Sequence, residues 1–388
     1  MNWEQIRNDF PVVKNATYFQ SAGMSPLPNQ VLDVVIKAFT KLNQFGDIYF
    51  IEDLIETENL RGILASMLNT SADNINILPN NSLAMSLLAL SFKDSGAMPF
   101  NVVSMMDEFP SNTVPFEYKK IKMKYVEAEN SRYPVENIMA QIDENTLAVV
   151  TSYVQYCTGF RQNLQKLGKE LKERNILFVV NATQGFPLFP VDVKNCNIDV
   201  MTCSIHKWGF SGHTGTIFYT SPEFRKRFAA PIAGWLSVDV KNDFIHTGKN
   251  IPFSLHNSAK KYYTGTYNLQ TLIGLKTAIE YLNNIGFKNI CLRLIELGDY
   301  LIAKLKAAQI TIVSPVDNVD ERSAIVSINM EPCENTKALA YLESKNIFAA
   351  NRNGMIRIAF NIFNNFGDID KLIGALIEFK KSNYTERS

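Results

Sequence analysis

Short, mostly apolar runs without alternation are interspersed along this chain with longer segments whose apolar residues recur every third or fourth position. Residues 75–78, 102–105, 147–153, 176–180, 199–203 and 215–219 are runs of the first kind. They predict strands covered on both faces, as in a parallel sheet wrapped by helices. The second kind predicts helices: Val31, Val35, Phe39, Leu42 and Phe45 form one stripe, Leu60, Ile63, Leu64, Met67 and Leu68 another, and Leu83, Leu87 and Leu90 a third. Each stripe is expected to face a core. A crossover helix over 164–173 returns the chain to the 176–180 strand. Beyond residue 269 the pattern changes to two long helical segments, 269–285 and 289–307, followed by short strands at 310–313 and 325–328, a helix over 336–345, strands at 347–350 and 355–359, and a last helix over 369–379. That order predicts an α/β large domain with a small α+β domain packed on it.

Composition narrows the function classes. With 388 residues, 46% apolar and 20% charged, the chain has ample material for a large core. A formal net charge of +1 gives no electrostatic case for nucleic acid or an anionic membrane surface. No apolar run approaches the roughly 20 residues that span a bilayer. The opening MNWEQIRNDFPVVKN lacks the basic-then-apolar plan of a signal peptide, so the expected location is the cytoplasm. Cysteines 157, 196, 203, 291 and 333, and histidines 206, 213, 246 and 256, show neither paired nor ligand spacing. Neither a disulfide framework nor a metal site is expected.

Candidate chemistry collects just after the predicted strands. Asn181 and Gln184 follow the 176–180 run, and Ser204, His206 and Lys207 follow 199–203. Open parallel sheets bind ligands at the carboxyl ends of their strands, so these side chains are expected to share one crevice. A lysine there, flanked by serine and histidine, has what Schiff-base chemistry requires: an amine for an aldehyde, and donors for an anion. Upstream, the polar turn 79–82 opens a helix, and Asn81 and Ser82 sit where free backbone N–H groups and the helix dipole favour phosphate. The long irregular stretch 228–260, containing Trp235, is expected to be a functional surface.

The strings N-A-T-Q-G from Asn181, P-V-D-V from Pro190 and I-D-V-M-T-C-S-I-H-K-W ending at Trp208 resemble class V aminotransferases. That pyridoxal-phosphate (PLP) family, of fold type I, also contains cysteine desulfurases, kynureninases and isopenicillin N epimerase. Further matches extend from about residue 18 to 364: E-F-P-S-N at 108–112, V-Q-Y-C-T-G-F-R at 154–161, the G-T pair at 265–266, and R-I-A-F-N-I-F-N from Arg357, similar to the family's R-x-S-x-x-x-Y-N. The resemblance implies a large PLP-binding domain over 18–270, built on a mostly parallel seven-stranded sheet sandwiched by helices. It assigns 1–17 and 271–388 to the small domain.

It also implies roles. Lys207 would hold PLP as a Schiff base and then act as base at the α-carbon. Phe109 would stack on the ring, Gln184 would donate to the phenolic oxygen and Asn181 would face the pyridine nitrogen. Asn81, Ser82, Ser204 and His206 would hold the phosphate together with Thr266 from a partner subunit, which makes a homodimer with shared active sites. On the substrate side stand Ala22, Tyr156 or Gln155, and Arg357, whose planar fork suits an amino-acid carboxylate. Arg161 reads equally as a loop residue. The expected activity is that of an aminotransferase. Alternatives are an amino-acid epimerase, a C–S or β-eliminating lyase without a persulfide cysteine, and a PLP-binding protein with weakened or lost catalysis.

Two departures from the family pattern stand out. Cysteine desulfurases carry a mobile cysteine shortly before the carboxylate-binding arginine, whereas residues 347–356 read IFAANRNGMI and the preceding cysteine is Cys333. Persulfide transfer is therefore not expected. Most of the family has aspartate where Asn181 stands, and a neutral amide supplies no charge to keep the pyridine nitrogen protonated.

Overall fold

A computed structural model describes residues 1–96, 99–239 and 253–385, so the middle of the 228–260 stretch lies outside the described residues. The strands, in order, are β1 (Thr17–Tyr18), β2 (Ile75–Leu78), β3 (Asn101–Met105), β4 (Lys122–Val126), β5 (Thr146–Ser152), β6 (Leu177–Asn181), β7 (Val200–Ser204), β8 (Thr216–Thr220), β9 (Thr311–Ile312), β10 (Ile325–Asn329), β11 (Ile347–Phe348), β12 (Ala350–Arg352) and β13 (Met355–Ala359).

Among the described residues, seven strands form the large sheet in the order β2-β8-β7-β6-β5-β3-β4. Neighbours are parallel except where β8 meets β2 and β7. Six of the seven are buried at every residue. Burial on both faces is why their sequences carry no alternation. Val102, Ala148, Val150, Val179, Val200 and Phe218 point into one apolar layer with the helix Asn81–Asp94. Their neighbours Val103, Val149, Phe178, Val180, Met201 and Ile217 point into the other. Each of these larger side chains, Ala148 apart, contributes roughly 1.5–3 kcal/mol on burial. The exception, β4, is an edge strand, and its KMKYV alternation of lysines kept it out of the apolar pattern.

The first helical stripe corrects the expectation of a core face. In the helix Asn29–Phe45 only Val31 is buried, while Phe39, Leu42 and Phe45 are exposed. The apolar residues beside them, Ile48, Ile51 and Ile55, are exposed as well.

Beyond the large sheet, β12-β13-β10-β9 form an antiparallel sheet packed with the helices Phe287–Ala307, Asn335–Ser344 and Phe366–Thr385. The expected 347–350 strand is split in two. β11 pairs in parallel with β1, Thr17 opposite Ile347, whereas β12 pairs with β13. Between them the Ala349 carbonyl turns to accept from Gln20 Nε2 at 2.8 Å. Arg7 donates to both Asp368 oxygens at 2.6 and 3.0 Å and to the Phe363 carbonyl at 2.5 Å, fastening the first helix to the last. Gly159 has φ +74°, and a Cβ there would collide with the Ile325 carbonyl, so only glycine lets the 153–161 loop lie against β10. Among the described residues no helix is long and apolar enough to cross a membrane.

Candidate active site

Because β3, β5, β6 and β7 run the same way, the segments that follow them emerge along one edge of the sheet. β8 runs oppositely and so presents its first residue there: Thr216 Oγ1 lies 3.2 Å from Ser204 Oγ at the end of β7. Leu78, the last residue of β2, pairs with the same Thr216, so the turn into the helix Asn81–Asp94 begins at this edge too. The sheet direction thus converges residues separated by more than a hundred positions.

Lys207 Nζ stands 5.4 Å from the centroid of the Phe109 ring, which meets Tyr156 edge-on at 5.4 Å and 82°. Tyr156 is anchored at both ends. Its hydroxyl donates to Asn353 Oδ1 at 3.2 Å, and its main-chain carbonyl accepts from Arg357 Nη1 at 2.8 Å. Arg357 is only 1% exposed, and its Nε and Nη2 are buried without a protein partner. Loss of water, then the nearby positive charges of Arg357 and Arg352, push the Lys207 amine down to about 7. Burial, with Arg352 beside it, lowers Arg357 to about 10, which leaves it charged at neutral pH.

Asn181 ends β6, with Nδ2 donating to Asn112 Oδ1 at 2.8 Å and Oδ1 accepting from the Thr183 N–H at 3.1 Å. Asn112, wholly buried, donates in turn to Glu108 Oε2 at 2.7 Å and to Ser152 Oγ at 3.2 Å. Glu108 also accepts from the Ser152 N–H at 2.6 Å, the Ser152 hydroxyl at 2.5 Å and Gln155 Nε2 at 3.1 Å. Burial raises its carboxyl pKa, and the surrounding donors oppose that rise. Sequence reading passed over Glu108 because a glutamate in a polar string ordinarily lies in solvent. Its position just after a buried strand, at the head of E-F-P-S-N, was the available signal.

The other expected residues divide. Gln184 is buried, donating from Nε2 to the Ala22 carbonyl at 3.0 Å and accepting from the Trp208 indole at 3.0 Å. One Nε2 hydrogen is left, and Ala22 contributes its main chain. Ser204 also ties its N–H to Thr183 Oγ1 at 2.9 Å. His206 packs 4.4 Å from the His213 ring, and burial, Lys207 and His213 lower it to about 4, so it is neutral near pH 7. Asn80, rather than Asn81 or Ser82, caps the helix by accepting from the Leu83 N–H. Asn81 donates to Ser111 Oγ at 2.7 Å and keeps a buried, unpartnered Oδ1, whereas Ser82 is exposed. Arg161 serves its loop, donating to the Arg322 and Val319 carbonyls. Thr266 is exposed in a groove with Ile51, Leu54, Trp235 and His256. Among the described residues no hydrogen bond joins it to the Lys207 cluster.

An amine of lowered pKa beside an aromatic face, a buried amide, unpartnered polar atoms and a helix N-terminus at one sheet edge suit an aromatic aldehyde bearing a phosphate. The fold is PLP fold type I. The solved apo cysteine desulfurase of Thermococcus onnurineus superposes with a TM-score of 0.88 at 21% identity, covering 98% of both chains. The cystine C-S lyase C-DES, solved with its product cysteine persulfide, has a TM-score of 0.85 at 16% identity, covering 95% of this chain and 99% of that one. The Aminotransferase class-V family model matches residues 17–372. The chain therefore belongs to the class V aminotransferase family, and its cofactor is PLP. Similar proteins include a probable cysteine desulfurase of Pyrococcus abyssi, 24% identical and covering 98% of each chain. Another is an uncharacterized aminotransferase of Bacillus subtilis, 23% identical over 93% of this chain and 94% of its own.

Proposed function

We propose that this enzyme removes the α-hydrogen of a free amino acid whose carboxylate Arg357 clamps and Lys207 faces as base, and that the overall reaction is transamination. The observation that carries the reading is the guanidinium itself. Its Nη1 is spent on Tyr156, while Nε and Nη2 are buried and unanswered, the pair that a carboxylate would take bidentately. Bound PLP supplies the electron sink that makes an α-hydrogen removable. Lys207, with an amine pKa near 7, is matched to accept and return a proton at neutral pH. Phe109 offers its ring as a stacking face, and Gln184 its remaining hydrogen to the phenolic oxygen. Asn81, Ser82, Ser204 and a neutral His206 provide uncharged donors for the phosphate. Thr266 would complete that set from a second subunit. The exposed apolar residues Phe39, Phe45, Ile51 and Ile55 support a homodimer, since large apolar side chains left exposed along one stretch of chain mark an interaction surface.

β-Elimination is the second reading, favoured by the cysteine chemistry in the names of similar proteins and by the absence of a cysteine from residues 347–356. Cys157 is buried, and burial pushes its thiol up to about 11. The β12–β13 connection consists of Asn353 and Gly354. A persulfide-forming step is thus unsupported, whereas direct elimination needs none.

Holoenzyme in deuterated water, offered a panel of amino acids, tests both readings. Exchange of the α-hydrogen with stoichiometric 2-oxo acid release supports transamination, and release of pyruvate with sulfide supports elimination. A PLP-loaded protein that exchanges no α-hydrogen from any amino acid overturns both and leaves the binding role.

A further inference from the structure

Glu108 is a carboxylate with 7% exposure, and among the described residues it makes no ion pair. Burying such a charge costs several kcal/mol unless hydrogen bonds replace water. Four donors do so here, from Asn112, Gln155 and the main and side chains of Ser152. They fasten the segment after β3 to that after β5. A structural tie alone would be served as well by a neutral side chain.

The direction of the hydrogen bonds shows what the charge does. A carboxylate only accepts, so Asn112 must turn its NH2 toward Glu108 and its carbonyl away. That carbonyl in turn requires the NH2 of Asn181, which faces the remaining side with its own carbonyl oxygen, already holding the Thr183 N–H. Two amides are thus aligned head to tail, and in such chains each bond polarises the next. With negative charge at the far end, Asn181 Oδ1 becomes more basic than in an isolated amide and keeps a free lone pair.

We infer that Glu108 is a positioning residue that acts through Asn112 to orient and polarise Asn181, so that a neutral amide does the work of the aspartate it replaces. The inference rests on the proposed placement of Asn181 opposite the pyridine nitrogen. It assigns the missing negative charge to a different strand end, one amide removed from the usual position.

The test uses holoenzyme loaded with PLP labelled with 15N in the ring, where the nitrogen chemical shift reports protonation directly. Wild type is expected to show a protonated nitrogen. Glu108→Gln is expected to move the signal to the unprotonated range, and Asn112→Ala, which breaks the chain but keeps Glu108, to do the same. Adding Asn181→Asp to Glu108→Gln should restore the protonated signal, a rescue that a mere packing role would not produce. A protonated signal retained in both single variants, or an unprotonated one in wild type, overturns the inference. α-Hydrogen exchange by the same wild-type sample separately tests Lys207 and Arg357, so either conclusion can fail without the other.

Discussion

Arg357 Nη1 donates to the Tyr156 main-chain carbonyl at 2.8 Å, while its Nε and Nη2 are buried without a protein partner. Replacing Arg357 by lysine keeps a positive charge but loses the fork. A charge-assisted hydrogen bond is worth about 1.5–3 kcal/mol, so Arg357→Lys should lower kcat/KM roughly 10- to 150-fold. The loss should appear chiefly as a raised KM in steady-state kinetics. An unchanged KM would remove Arg357 from substrate binding.

Lys207 gives a pH signature. Its folded-state pKa of about 7 lies below the roughly 10.4 of an unfolded lysine, so between those values the unfolded chain binds more protons. Stability of the cofactor-free protein should therefore rise with pH across that window. Because the neutral amine is the nucleophile, the rate of PLP attachment should climb as pH passes through about 7 and then level. Stopped-flow absorbance measures the second effect and thermal denaturation of Lys207→Met against wild type the first.

Asp368 is a structural test remote from the chemistry. Its side chain is 4% exposed and receives both Arg7 nitrogens, so Asp368→Ala strands a partly buried guanidinium. Breaking such a pair costs about 3–5 kcal/mol. Urea denaturation should show that loss, with α-hydrogen exchange per folded molecule little altered.

Sulfur chemistry supplies the last test. If no protein thiol takes part, incubation with cysteine leaves the intact mass without an added sulfur atom, and Cys333→Ser turns over like wild type. A persulfide on any cysteine in the mass spectrum would restore the desulfurase reading.

Much of the site was legible because its residues follow apolar runs in fixed order. Lys207 after β7 and Asn181 at the end of β6 are of this kind, whereas Arg357 lies within β13 and was legible only through its string. The direction of β8 was not legible, since TIFYT reads alike in either sense, yet it decides that Thr216 rather than Thr220 meets Ser204. The outward face of Phe39, Leu42 and Phe45 was hidden for a similar reason. Helical periodicity reports that a stripe wants cover, and is silent on whether the same chain provides it. Glu108 was missed because its meaning lies in four hydrogen bonds from three residues, Asn112, Ser152 and Gln155, that only the fold brings to it.

The parallel pairing of Thr17 with Ile347 has a consequence for biosynthesis. A ribosome completes β2 to β8 long before it makes β11, so the large sheet can collapse while β1 still lacks a partner. The segment that carries Ala22 to Gln184 should then close late in maturation. Nascent chains arrested short of residue 347 should be cut by protease between residues 17 and 25, where released chains resist.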